Sequence, residues 1–150
     1  MNNKPKALVD TNILVYSIDP LSPFHLKAKS FLEKITPFSN LVISIQNLME
    51  FYAVSTSRRH ISKPFSTKEA TQNLRGLAAL YPLIFPKKTM FETFLQLVQK
   101  MPIIGQEAHD AHLAALMLDN DIGTIYTADT KIFAKLGLKA INPLIKPLTS

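Results

Sequence analysis

Cysteine is absent from the 150-residue chain, which excludes disulfides and thiolate metal sites and suits a reducing compartment. Also missing is any apolar run of the roughly 18–20 residues needed to cross a bilayer, so no membrane partner is expected. The opening MNNKPKALVD holds too few apolar residues for a secretory core, and a cytoplasmic protein is the expectation. Neither GxGxxG nor GxxxxGK[ST] occurs, which leaves dinucleotide and P-loop chemistries without support. No internal repeat, low-complexity stretch or linker divides the chain, so residues 1–150 read as one domain.

What is present is an ordinary globular composition, 47% apolar and 9% aromatic, in a chain long enough to bury a core of its own. Lys and Arg number 17 against 11 Asp and Glu, a formal charge of +6. That balance serves solubility and also permits a polyanionic partner, since phosphate backbones are bound mainly by Lys and Arg. The cations gather at Arg58-Arg59-His60, with Lys63 nearby, and at Lys87-Lys88. Neither group is interleaved with the aromatics of a base-stacking platform.

Short apolar strands are predicted at Ala7–Val9, Leu41–Ser44, Leu83–Phe85, Thr124–Thr127 and Leu138–Asn142. Between them lie helical patterns. One starts at Ser22-Pro23, carries Phe24, Ala28, Phe31, Leu32 and Ile35 on one face, and stops at Thr36-Pro37. Another covers Gln46–Thr56. Capping boxes open two more, at Ser66–Glu69 with the stripe Ala70, Leu74, Leu77 and Tyr81, and at Thr89–Glu92 with Phe91, Phe94, Leu95 and Val98. Residues 107–119 form a helix with alanines on several sides, which implies close packing, and Thr130–Leu136 a short one ended by Gly137. Strands alternating with helices indicate an α/β fold with a mostly parallel sheet covered on both faces.

In such sheets ligands bind beyond the carboxyl ends of the strands. Asp10 follows the first strand, and Asp129 follows the strand ending at Thr127. Glu50 lies on the helix entered from the second strand, and Asp110 in the first turn of the helix before the fourth. Asp129 alone could be a helix N-cap, and Asp110 could complement a helix dipole. Glu50 is surrounded in sequence by Leu48, Met49, Phe51, Tyr52 and Ala53 and needs a partner. Asp10, set between two apolar segments, needs one most. Gathered together, four carboxylates would raise one another's pKa values, a difficulty that a hard divalent ion, Mg²⁺ or Mn²⁺, removes. An acidic ion site on a basic protein points to phosphodiester hydrolysis. His109 and His112 flank Asp110 and suggest zinc, but no third ligand is evident. Ser44 and Ser55 fit no Ser-His-Asp arrangement.

The ordered set of Asp10-Thr11-Asn12 after a strand, Glu50 in an apolar helix, HDAHLAAL at 109–116 and YTADTKIF at 126–133 resembles the PIN-domain ribonucleases, and among them the VapC-type toxins of toxin–antitoxin pairs. The resemblance runs from Ala7 to about Pro143. It implies a three-layer α/β/α fold around a mostly parallel sheet of four to five strands. It also implies a Mg²⁺- or Mn²⁺-dependent endoribonuclease acting on RNA, forming a homodimer and inhibited by a small cognate antitoxin. Asp10, Glu50, Asp110 and Asp129 match the acidic tetrad, both catalytic and metal-binding. Asn12 and Thr127 match its polar supports, Asn12 lying on the side of Asp10 if the chain stays extended there. Water activated by the ion would leave 5′-phosphate and 3′-hydroxyl ends.

The chain departs from the family pattern after the last acid. Where TxDxDF is common, it reads Asp129-Thr130-Lys131-Ile132-Phe133, with a lysine and one extra residue. That departure supports an alternative, a catalytically degenerate PIN-like module that binds RNA or a partner without cutting. A phosphatase of the haloacid dehalogenase class ranks low, because it needs a second Asp where Asn12 stands.

Overall fold

Ala7 and Val9 face one way from the first strand and Leu8 the other, and this alternation divides the core. A computed structural model describes residues 4–145. The first strand, β1 (Lys6–Val9), leads into α1 (Thr11–Ile18) and α2 (His25–Ile35). After a 3₁₀ turn at Thr36–Phe38 come β2 (Asn40–Ser44), α3 (Ile45–Ser55), α4 (Thr67–Leu80) and β3 (Leu83–Ile84). The chain continues through α5 (Met90–Lys100), α6 (Glu107–Asp119), β4 (Thr124–Tyr126), α7 (Thr130–Lys135) and β5 (Lys139–Ile141).

The five strands are all parallel, in the order β3-β2-β1-β4-β5. Ala7, Val9, Leu41 and Ile43 pack with Ile13, Leu14, Ala28, Leu32 and Phe51 from α1, α2 and α3. Leu8, Val42, Ile84 and Ile125 pack on the other face with Met90, Ala111, Ala114, Ala115, Met117 and Phe133 from α5, α6 and α7. This is the expected α/β/α sandwich, and each fully buried large side chain contributes about 1.5–3 kcal/mol of transfer free energy. The alanines predicted for close packing are fully buried at 111, 114 and 115.

Several local expectations are corrected. The apolar run after Asp10 is not extended; it is α1, because Asp10 caps a helix there and Ile13, Leu14 and Val15 turn into the core. The helix expected at Ser22-Pro23 begins at His25, since the Ser22 hydroxyl and carbonyl are engaged in a turn by the amides of Phe24 (3.1 Å) and His25 (3.1 Å). Tyr81 lies one residue past the end of α4 yet stays on its stripe, buried in the core that Leu74 and Leu77 pack against, with its hydroxyl 3.1 Å from that of Thr36. The box at Ser66–Glu69 forms in full, whereas Thr89 has helical backbone angles and makes no cap. Its hydroxyl donates instead to Asp119 at 2.7 Å. At the end of α7, Gly137 adopts φ 89°. The bonds Gly137 N to Ala134 O and Leu138 N to Phe133 O complete a glycine-terminated cap.

Candidate active site

The chain leaves β1 one way toward β2 and β3, and the strand on its other side, β4, arrives later in the sequence. The carboxyl ends of β1 and β4 therefore flank the point where strand order reverses, and it is there that the acids collect. Asp10 follows β1 with extended angles (φ −72°, ψ 154°) and is only 7% exposed. Its amide donates to the Tyr126 carbonyl at 2.9 Å, which ties it to β4. Oδ1 accepts from the Thr11 amide at 2.8 Å, and Oδ2 from the Thr127 hydroxyl at 2.7 Å.

Thr127 is fully buried and also accepts from the Asp129 amide at 3.0 Å, so one hydroxyl links two of the acids. Asn12 performs a second linkage from α1. Its Nδ2 lies 3.3 Å from Asp129 Oδ2 and 3.5 Å from Asp10 Oδ2, and its Oδ1 accepts from the Ala128 amide at 3.3 Å. Helical backbone rather than an extended chain brings Asn12 to Asp10. Asp129 is exposed at the position before α7 and makes no side-chain cap, so the capping explanation for it does not hold.

Glu50 is half-buried on α3, where Oε2 accepts from the Thr11 hydroxyl at 3.1 Å and Oε1 from Gln46 Nε2 at 3.0 Å. Asp110 is half-buried in the first turn of α6. Asp10, Glu50, Asp110 and Asp129 share the wall of one cleft of about 630 Å³ with Asn12, Tyr16 and Phe24. Burial pushes the Asp10 carboxyl up to about 6. The bonds from Thr127 and Thr11 resist that rise, and the charges of Glu50 and Asp129 add to it. Asp110 is likewise pushed up to about 6 by burial, then by Asp129 and Glu50, with His109 opposing. Asp10 and Asp110 thus each feel the charges of Glu50 and Asp129.

Oxygen-only, mutually repelling donors fit a hard divalent cation in kind and charge. Among the described residues, however, no group of three or more His, Cys, Asp or Glu side chains is already arranged to hold a metal ion. His112 Nδ1 instead meets Gln46 Oε1, and His109 is exposed.

Of the basic clusters, Arg58, Arg59 and Lys63 are exposed on the loop between α3 and α4. Neighbouring His60, Ile61 and Ser62 of that loop line the cleft. Lys87 lies instead by Asp119, at the far end of α6 from Asp110. Lys131, the departure residue, lines a groove with Asp110, Asp129 and Lys135.

Sequence reasoning gave no role to Thr11, Gln46 or Asn47. Asn47 is buried and shares a capping box with Ser44: the Asn47 amide donates to Ser44 Oγ at 3.1 Å, and Asn47 Oδ1 accepts from the Ser44 amide at 2.9 Å. Asn47 Nδ2 then donates to Thr11 Oγ1 at 3.2 Å, which reaches Glu50. The spacing Ser44-x-x-Asn47 was the available signal, with Asn in place of the usual Glu or Gln.

A five-stranded parallel α/β/α sandwich with acids at its reversal point defines a class. The family described as PIN domain matches residues 7–139, and the chain belongs to that family. Within it, the chain is 30% identical over 116 residues to VapC ribonuclease Mb2897 of Mycobacterium bovis, covering 75% of this chain and 79% of that one. It is 23% identical over 137 residues to ribonuclease VapC48 of Mycobacterium tuberculosis, covering 89% and 94%. Among solved structures, the fold is similar to VapBC2 from Rickettsia felis, crystallised with a promoter DNA fragment (TM-score 0.68, 21% identity, 91% of this chain and 98% of that one). It is also similar to DNA-bound VapBC from Salmonella typhimurium (TM-score 0.69, 14% identity, 93% and 98%).

Proposed function

We propose that the protein is a toxin-type endoribonuclease that hydrolyses RNA phosphodiester bonds, acts as a cytoplasmic homodimer and is restrained by a small cognate antitoxin. The observation that carries the reading is the buried Asp10 carboxylate, fixed at the reversal point of the sheet in a cleft shared with Glu50, Asp110 and Asp129. The ribonuclease names of its relatives support the activity, and the VapBC complexes among its structural neighbours support the antitoxin.

Asp10, Glu50, Asp110 and Asp129 would hold Mg²⁺ or Mn²⁺, which when bound lowers the pKa of water and neutralises charge at the phosphoryl centre. The chain's own part is positioning. Thr127 and the Thr11 amide fix both oxygens of Asp10, while Asn12 keeps Asp129 beside it. Thr11 and Gln46 fix the two oxygens of Glu50. Arg58 and Arg59, on the loop that borders the cleft, supply positive charge for the RNA backbone.

Purified protein incubated with RNA and Mn²⁺ should yield fragments with 5′-phosphate and 3′-hydroxyl ends, and Asp10→Asn should abolish cleavage while remaining folded. Cyclic 2′,3′-phosphate ends, or undiminished cleavage by the variant, would refute the mechanism. The groove that Lys131 shares with Asp110 and Asp129 favours a second reading, a non-cutting RNA-binding module. RNA binding without Mn²⁺-dependent cleavage would select it.

A further inference from the structure

Gln46 occupies the first turn of α3, one turn before Glu50 and facing α6. Its Nε2 donates to Glu50 Oε1 at 3.0 Å and to the His109 carbonyl at 3.0 Å. Both partners are acceptors, so the amide nitrogen must point at them and the amide oxygen must point away. That oxygen meets His112 Nδ1. An amide oxygen only accepts, so the ring must carry its proton on Nδ1, the nitrogen facing Gln46. One side chain therefore spans α3 and the first turn of α6, gripping Glu50 on one helix and the residue before Asp110 on the other. Thr11 holds the remaining oxygen of Glu50 at 3.1 Å, so Gln46 completes the orientation of that carboxylate.

We propose that Gln46 is a positioning residue, which sets the direction of the Glu50 carboxylate and its distance from Asp110, with His112 behind it as an Nδ1–H brace. The proposal rests on the nuclease reading for its consequence in activity but not for its geometry. A residue that orients a ligand from outside sets how well the ion is held, and loss of such a partner typically costs about 10–100-fold in affinity. Gln46 is half-buried and His112 exposed, so both positions accept an apolar substitution without opening the core.

The test compares wild type, Gln46→Leu and His112→Leu in the full chain. Nitrogen-15 NMR of the imidazoles should show wild-type His112 protonated on Nδ1 and should show that preference lost in Gln46→Leu. Calorimetric titration with Mn²⁺ should show affinity weakened at least about 10-fold in Gln46→Leu, and weakened in the same direction in His112→Leu. With RNA, Gln46→Leu should lower kcat and leave KM unchanged, since both polar atoms of the Gln46 amide are engaged within the chain. A His112 proton on Nε2 in wild type, or Mn²⁺ affinity unchanged in a folded Gln46→Leu, overturns the proposal. If Gln46→Leu fails to fold, unchanged affinity in His112→Leu overturns it equally. Should wild type neither bind Mn²⁺ nor cleave RNA, the nuclease reading falls, and the nitrogen spectrum alone decides whether Gln46 grips His112.

Discussion

Asp10 is held by three donors and still sits uneasily, since burial outweighs the hydrogen bonds and lifts its carboxyl to about 6 from an ordinary 3.8. Folded Asp10 therefore keeps its proton between those pH values, where the unfolded chain has released it. In ion-free protein its contribution favours folding below about pH 4 and is lost as pH rises through about 6. For a carboxyl this buried the loss is of order 3 kcal/mol. Asp110 has the same sign, but it is half-exposed and solvent screens it. Urea unfolding of ion-free wild type and Asp10→Asn across pH 4–7 should show wild type losing stability relative to the variant as pH rises. Parallel profiles would mean that the carboxylate carries no such cost. Mn²⁺ should stabilise wild type more at pH 7 than at pH 5, because ligands must be deprotonated to bind.

At the scale of elements, what the sequence discloses depends on whether a signal is local. The Ser66–Glu69 box closes within one turn, and Gly137 ends α7 because only a residue free to adopt positive φ fits there. Gly137→Ala should lower stability by about 1–2 kcal/mol, the cost of left-handed backbone for a residue with a Cβ, measured by thermal or urea unfolding. An unchanged midpoint would show that the cap relaxes. Thr89–Glu92 has the same local spelling as Ser66–Glu69 yet forms no box, because Asp119 at the end of α6 offers the Thr89 hydroxyl a better partner. A competitor thirty residues away is invisible to a four-residue pattern. Helix α1 was likewise hidden, since the mostly apolar TNILVYSI that Asp10 caps lacks the polar face that marks a helical period.

Across the whole molecule, the acids were legible because strand-end placement and sheet topology act together. Asp10 and Asp129 follow neighbouring strands, and the two helices that bear Glu50 and Asp110 frame the same cleft. Their supports were less so. Asn12 and Thr127 stood two residues from an acid in the sequence, whereas the hold of Thr11 on Glu50 and the roles of Gln46 and Asn47 depend on bonds between α1, α3 and α6. The basic loop between α3 and α4 borders the cleft without entering the acidic wall, a division that suits holding a polyanion beside a carboxylate centre.

The proposed nuclease requires that these four carboxylates serve one ion. A crystal of the protein soaked in Mn²⁺ and measured near the manganese absorption edge locates that ion. An anomalous peak is expected in the cleft, within coordinating distance of Asp10 and at least one of Glu50, Asp110 and Asp129. A cleft without a peak at saturating Mn²⁺, with the carboxylates free, would contradict it.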